Sequence, residues 1–322
     1  MDNNTQSKIF ELIKSTGSVM PYSIASQLDI SRQMTQRHLK KLLNENLIEK
    51  IGKPPKVFYK VKTKDSRSNV TLKENLSKIL NEHFYYISPR GKELNGTQGF
   101  ILWCNERNFD IQKKAQEFSN ITKKYQKLKK DGLFNATSKL KNTFPAGADE
   151  LYYYDFYALE VFGKTKIGQK LLYAKQSENK KLIKELALTI KPVIEKLIKT
   201  KKIDAIGYIQ PTVPRQIQFM KVLERELNLG LPKMSIVKVI SDIRVPQKTL
   251  KKLSDRIENA NETFVVEGGD SYNTVLLIDD AVGSGASINQ IALKIKQKSL
   301  AEKVIGFAIT GSLNDFDVIS EV

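Results

Sequence analysis

Cysteine is nearly absent: Cys104 is the only one in 322 residues. A single thiol excludes an internal disulfide framework and any zinc site built from several cysteines, and it suits a reducing interior. Beside Trp103 it reads as a small core residue. Long apolar runs are missing as well. No stretch approaches the roughly 20 apolar residues that a bilayer-spanning helix needs. The opening MDNNTQSKIF has neither the basic nor the apolar region of a secretory leader, so the expectation is a cytoplasmic protein with no membrane partner. Acidic side chains are scarce beside basic ones, 35 Asp and Glu against 53 Lys and Arg, a net charge of +18. That balance favours polyanionic partners, although lysine-rich helices of any kind would produce it, so its distribution says more than its total.

The most informative stretch is VLLIDDAVGSGASI, Val275 to Ile288. Val275 to Ile278 have the character of a short strand buried on both faces of a parallel sheet. The run ends in Asp279 and Asp280 and then in Gly283, Ser284, Gly285, Ala286 and Ser287, small residues that let backbone N–H groups close around an anion before a helix begins. Here too the absences decide. A Walker A loop needs a lysine after its glycines, and Gly285 is followed by Ala286, Ser287 and Ile288. A dinucleotide fingerprint needs a third glycine where Ile288 stands, and it has no use for paired carboxylates. Carboxylates beside a phosphate cradle suit a ligand with vicinal hydroxyls next to its phosphate, and a ribose 5-phosphate fits.

The stretch resembles the phosphoribosyl-pyrophosphate (PRPP) signature of type I phosphoribosyltransferases. The resemblance implies that Asp279 and Asp280 face the ribose 2′- and 3′-hydroxyls and that Ala281, Val282, Gly283, Ser284, Gly285, Ala286 and Ser287 bind the 5′-phosphate. It implies Mg²⁺ as cofactor, carried in by PRPP, with Asp279 or Asp280 the only protein groups placed to help. Three further segments are similar to the competence-protein (ComF) branch of that family. LLYAKQSENKKLIKELALTI (171–190) has a strand-like start and a long amphipathic helix; IDAIGYIQPTVPRQIQF (203–219) is a buried strand whose end, Pro214 and Arg215, would hold the pyrophosphate. Gln216 and Ile217 stand where the family has a glycine. In PQKTLKKLSDRIENANETF (246–264), Pro246-Gln247, Leu250, Arg256, Asn259 and Phe264 recur in the family's order, with one extra residue between Leu250 and Arg256. The resemblance implies that this segment is a flexible hood closing over the sugar pyrophosphate, with Arg244, Lys248 and Arg256 able to meet its charge and to join Asp279 and Asp280 as the catalytic set.

At the N-terminus, Ile9, Phe10, Leu12 and Ile13 form a helical stripe that stops at Gly17. Pro21 opens a second short helix, and Ser31 can cap a third that runs through Met34, Leu39, Leu42 and Leu43. Its other face carries Arg32, Gln33, Thr35, Gln36, Arg37, His38 and Lys40. Two strands follow, Leu47 to Ile51 and Val57 to Val61, joined by a basic turn containing Pro54 and Pro55. Residues 5–62 resemble a winged-helix DNA-binding domain, and the basic excess lies on the third helix and the wing. The resemblance implies double-stranded DNA as partner, contacted by Ser31, Arg32, Gln33, Thr35, Gln36, Arg37, Lys40, Lys53 and Lys56.

Between these ends, TKDSRSNVT (63–71) is linker-like, 72–83 is helical, and 84–103, with Gly and Asn between aromatic runs, is expected to be β-rich. Another helix spans 111–130, where Lys123, Lys124, Lys127, Lys129 and Lys130 form a solvated face. The expected organisation is a winged helix at 1–65, a connecting or dimerisation segment at 66–149, and at 150–322 an α/β domain with a type I phosphoribosyltransferase-like parallel sheet and flanking helices. Two functions stay open. One is a DNA-binding regulator, a homodimer with PRPP or a related phosphorylated ribose as effector; the purine operon repressors, which also join these two folds, are the analogy. The other is an active phosphoribosyltransferase or nucleotide-cleaving enzyme, recruited to nucleic acid by its N-terminus.

Overall fold

The computed structural model describes residues 2–62, 71–143, 145–211, 215–239, 243, 245–246 and 249–312. The chain divides into two compact units, Met1–Val70 and Thr71–Val322.

The first unit consists of α1 (Asp2–Thr16), α2 (Pro21–Gln27), α3 (Arg32–Asn44) and a hairpin of β1 (Ile48–Lys53) and β2 (Lys56–Val61). Local chemistry sets each boundary. Gly17 leaves α1 at φ +79, Pro21 supplies the preset φ at the start of α2, and the Ser31 hydroxyl accepts from Met34 N–H at 3.1 Å to cap α3. β1 and β2 pair antiparallel from Ile48↔Val61 to Lys53↔Lys56. Val19 bridges Tyr59, its N–H donating to the Tyr59 carbonyl at 2.9 Å, so the chain between α1 and α2 adds a third edge to the hairpin. Ile9, Ile13, Ile24, Leu39, Leu42 and Ile48 close the core.

In the second unit α4 (Glu74–His83), β3 (Tyr85–Ile87), β4 (Glu93–Asn95), α5 (Gly96–Asn105) and α6 (Ile111–Gln126) precede the sheet. The expected β-rich segment is half helix. Gly96, Gly99, Phe100, Trp103 and Cys104 are all buried, at spacings of three, four, seven and eight, which is the helical period; the two glycines belong to the buried stripe and do not punctuate it. Lys129 also departs from expectation. Its ammonium lies 4.6 Å from the Tyr154 ring and 5.2 Å from that of Phe134, folded onto aromatic faces, whereas Lys123, Lys124, Lys127 and Lys130 are exposed.

The sheet is built from β5 (Phe134–Asn135), β6 (Glu150–Phe156), β9 (Ala205–Tyr208), β10 (Lys233–Lys238), β11 (Phe264–Glu267), β12 (Tyr272–Val282) and β13 (Ala301–Gly311). A small antiparallel pair, β7 (Ala158–Leu159) and β8 (Gly163–Lys164), lies outside it. The spatial order is β11-β10-β9-β12-β13-β6-β5; the five inner strands are parallel and each edge strand is antiparallel to its neighbour. The protein is therefore α/β, with a mostly parallel sheet flanked by helices, consistent with a Rossmann-like fold. The chain from Thr71 onward forms one compact unit, in which β5 pairs with β6.

β9 is buried throughout and Val275 to Ile278 are fully buried, as strands covered on both faces must be. One face packs on α7 (Lys166–Gln176), α8 (Lys180–Lys201) and α9 (Phe219–Leu227), joining Leu276, Ile278, Ile305 and Phe307 to Leu171, Leu186, Ile190 and Leu223. Residues 171–176, expected to start as a strand, are the second half of α7, which Thr165 caps by accepting from Gly168 N–H at 2.9 Å. The other face carries α11 (Ala286–Gln297), packed in turn on α10 (Leu253–Thr263). Gly306 permits that approach, because a Cβ there would lie 2.7 Å from Ile288 Cγ2.

Strand order fixes where a ligand can enter. From β9 the chain passes through α9 to β10 on one side; from β12 it passes through α11 to β13 on the other. The crevice outside the carboxyl ends of β9 and β12 is thus a topological switch point, the usual ligand position in open α/β sheets.

Candidate functional site

Asp279 and Asp280 lie at that crevice. Register places Ile278 beside Tyr208 of β9 and Asp279 beside Ala308 of β13. β12 does not stop at the acidic pair. β13 is equally long, so Ala281 pairs with Thr310 and Val282 with Gly311, and these two expected phosphate-loop residues are strand residues. The loop proper is Gly283, Ser284 and Gly285; Ala286 and Ser287 form the first turn of α11. Because side chains alternate along a strand, Asp279 and Asp280 point to opposite faces of the sheet.

The two carboxylates accordingly have different partners. Asp280 forms an ion pair and hydrogen bond with Lys175 near the end of α7. The guanidinium of Arg215 donates from Nη1 to the Lys175 carbonyl at 2.7 Å, and Gln218 Nε2 donates to the Arg215 carbonyl at 3.1 Å. Arg215, singled out from sequence, is therefore one residue removed from the partner of Asp280. Asp279 Oδ1 accepts from Asp280 N–H at 2.7 Å. Burial, reinforced by the neighbouring Asp280 charge, pushes the Asp279 pKa up to about 7; the Asp280 amide, Lys175 and Lys238 oppose the shift. Lys238 ends β10, its ammonium 4.3 Å from the Phe264 ring centroid, and burial pushes its pKa down to about 8 against the pull of Asp279.

At the loop, Gly285 takes φ +82 at the N-cap of α11. A Cβ at this position would point at Leu151 and Leu140, 3.4 and 3.6 Å away, so bulk added there meets the core and not a bound phosphate. Ser284 is buried and its hydroxyl accepts from Ala286 N–H at 3.4 Å. No acidic side chain occupies the first turn of α11, which leaves the positive end of its dipole open to an anion. Asn289, one turn on and fully buried, accepts from Gly147 N–H at 2.7 Å and donates to the Thr143 and Pro145 carbonyls, fixing α11 against the 143–148 loop.

Pro214, Arg244 and Lys248 lie outside the described residues. Arg256 is in the first turn of α10; its Nε donates to the Leu250 carbonyl at 2.8 Å, a bond within its own segment, and burial lowers its pKa. Lys175 and Lys238 were not singled out from sequence. Lys175 carried a signal, four residues after buried Leu171 on the packed side of α7. Lys238 carried less, as the last residue of an alternating strand. A second polar group closes β6: Asp155 lies 3.9 Å from Lys129, and burial raises the pKa of the acid and lowers that of the lysine.

In the first unit Ser31, at the N-cap of α3, and Arg32, Gln33, Gln36, Arg37 and Lys40 on the helix are exposed, and Lys53 and Lys56 are exposed on the hairpin. Thr35 is not among them. It is fully buried, its hydroxyl donating to the Ser31 carbonyl at 3.0 Å. His38 is likewise buried, while Met34 is exposed. Thr35, His38, Leu39 and Leu42 follow the helical spacing of three, four and seven, which defines the inner face and turns Met34 outward.

The fold and site together define an α/β protein whose central strand β12 carries two carboxylates, Asp280 paired with Lys175 and Asp279 within the field of Lys238, close to the N-terminus of α11. No family model matches the chain, and no curated protein matches it in sequence. Among the described residues no group of three or more His, Cys, Asp or Glu is placed to hold a metal ion, and no helix is long and apolar enough to cross a membrane.

Proposed function

We propose that this protein is a DNA-binding regulator whose α/β unit takes PRPP or a related phosphorylated ribose as effector. The observation that carries the reading is the convergence, at the switch point of the sheet, of Asp279, Asp280 and the Gly283–Ser287 turn leading into α11. A ribose hydroxyl supplies a donor for the carboxyl on the α11 face, Asp279, and the 5′-phosphate accepts from the amides at the start of α11, while Asp280 acts from the other face through its pair with Lys175. Lys175, Arg215 and Lys238 provide cations for further phosphate charge. The donor set suits Mg²⁺ arriving on the ligand: Asp280 is already paired with Lys175 and Asp279 holds a proton up to near neutrality, so neither is a free anionic ligand. When bound, the ion would neutralise pyrophosphate charge.

On this reading the first unit is a winged helix. Its three helices, its hairpin and the Val19–Tyr59 bridge support that, with the polar face of α3 and the tip of the hairpin both basic and exposed. Duplex DNA is the matching polyanion. Calorimetry with PRPP and Mg²⁺ tests the ligand half. Asp279→Asn combined with Asp280→Asn weakens binding by about 1.5 kcal/mol or more; unchanged affinity in the double variant contradicts the ribose assignment.

A second reading, catalysis on a phosphoribosyl donor, draws on the tuned groups. Burial pushes the Asp279 carboxyl up to about 7 and the Lys238 ammonium down to about 8, and shifts of this kind concentrate where proton transfer or anion departure occurs. Pyrophosphate release from PRPP and Mg²⁺, with and without nucleobases, separates the readings.

A further inference from the structure

The first unit contains a cavity of about 350 Å³ lined by Met20, Pro21, Tyr22, Arg32, Gln36, Pro55 and Val57. It lies where the starts of α2 and α3 meet the turn between β1 and β2, and it falls within the roughly 300–1,000 Å³ of small-molecule sites. Its chemistry is uneven. Met20, Pro21, Pro55 and Val57 give apolar walls, and Tyr22, 67% exposed, leaves ring surface open to a partner. The Arg32 guanidinium lies 5.8 Å from the Tyr22 ring centroid, and Gln36 supplies an amide able both to donate and to accept. An exposed aromatic face, a guanidinium plane and an amide suit a flat heteroaromatic with polar edges. Arg37, Lys40, Lys53 and Lys56, all exposed on the same two elements, suit the phosphates on either side of it.

We infer that this cavity receives a single unpaired nucleobase, stacked on Tyr22 and bounded by Arg32 and Gln36, so that the unit prefers nucleic acid with an extrahelical base. The inference rests on the reading of the first unit as nucleic-acid binding and adds the substrate class. Every base has a π-face, so Tyr22 stacking tolerates any sequence, while the Gln36 amide can discriminate edges.

The test uses the full chain, two duplexes identical except for one bulged 2-aminopurine, and the variants Tyr22→Ala and Tyr22→Phe. The wild type binds the bulged duplex on the order of tenfold more tightly than the paired one, with 2-aminopurine fluorescence quenched by stacking. Tyr22→Phe keeps both effects. Tyr22→Ala loses both and binds the paired duplex like the wild type; Tyr22 is so exposed that its removal leaves no core void, and matching thermal unfolding curves check this. Equal affinity of the wild type for the two duplexes, or a bulge preference that survives Tyr22→Ala, overturns the inference while paired-duplex binding stands. Absence of binding to either duplex removes the nucleic-acid reading and the inference with it.

Discussion

Asp279 and Asp280 are neighbours in sequence, yet the pleat sends them to opposite faces, where Asp280 meets Lys175 and Asp279 meets burial and a like charge. Folding therefore favours the protonated form of Asp279. The stability it contributes is complete near the unfolded-chain value of about 4 and is lost as pH rises toward 7. Asp279→Asn keeps the shape and cannot ionise, so the variant gains on the wild type between pH 5 and pH 7.5. One pKa unit corresponds to about 1.4 kcal/mol, and the gain reaches at least that. Urea unfolding at the two pH values measures it; parallel behaviour of the two proteins would show that Asp279 ionises freely. Gly285 offers a second residue-scale test. With φ +82, Gly285→Ala costs about 1–2 kcal/mol from backbone strain, since the added Cβ stands at ordinary contact distance from Leu151. A lowered urea midpoint at unchanged m-value is the expected result.

At the scale of the element, α3 separates two kinds of residue. Arg37→Ala and Lys40→Ala, on its exposed side, each weaken duplex binding across all sequences and reduce the salt-dependence slope by about 0.9. Thr35→Ala, on the buried side, leaves DNA affinity unchanged and costs about 1 kcal/mol of stability through the lost hydroxyl bond to Ser31. Fluorescence anisotropy over a salt series together with thermal unfolding distinguishes the two classes; a DNA defect in Thr35→Ala would place that side chain at the interface. The apolar run of β12 and the Ser31 cap of α3 were legible because their signals are local. The tertiary consequences were not. The helical period of α5 was hidden by Gly96 and Gly99, which are buried contacts and not turn residues. The end of β12 depends on the length of β13, which no residue near Asp279 encodes. Lys175 reaches Asp280 across 105 positions of sequence, and only the packing of α7 on the sheet brings them together.

For the whole molecule the question is how two compact units, 1–70 and 71–322, serve one function. If the α/β unit is a sensor, its ligand must bind the DNA-competent and DNA-incompetent states with different affinity, because a ligand that binds both equally shifts nothing. Coupling of that kind is typically about 1–3 kcal/mol, roughly 5- to 150-fold in affinity, and it is reciprocal. The net charge of +18 brings a complication, since any polyvalent anion competes with DNA phosphates for a basic surface. Pyrophosphate is therefore the control for PRPP. The most direct measurement titrates labelled duplex DNA from the protein's own upstream region with the full chain, alone, with saturating PRPP, and with equal pyrophosphate, at constant ionic strength and free Mg²⁺. The account predicts at least a fivefold change in DNA affinity with PRPP beyond that with pyrophosphate, abolished by Asp279→Asn combined with Asp280→Asn. Equal affinity in all three titrations, accompanied by turnover of PRPP, would contradict it and make the protein an enzyme with a DNA-binding appendage.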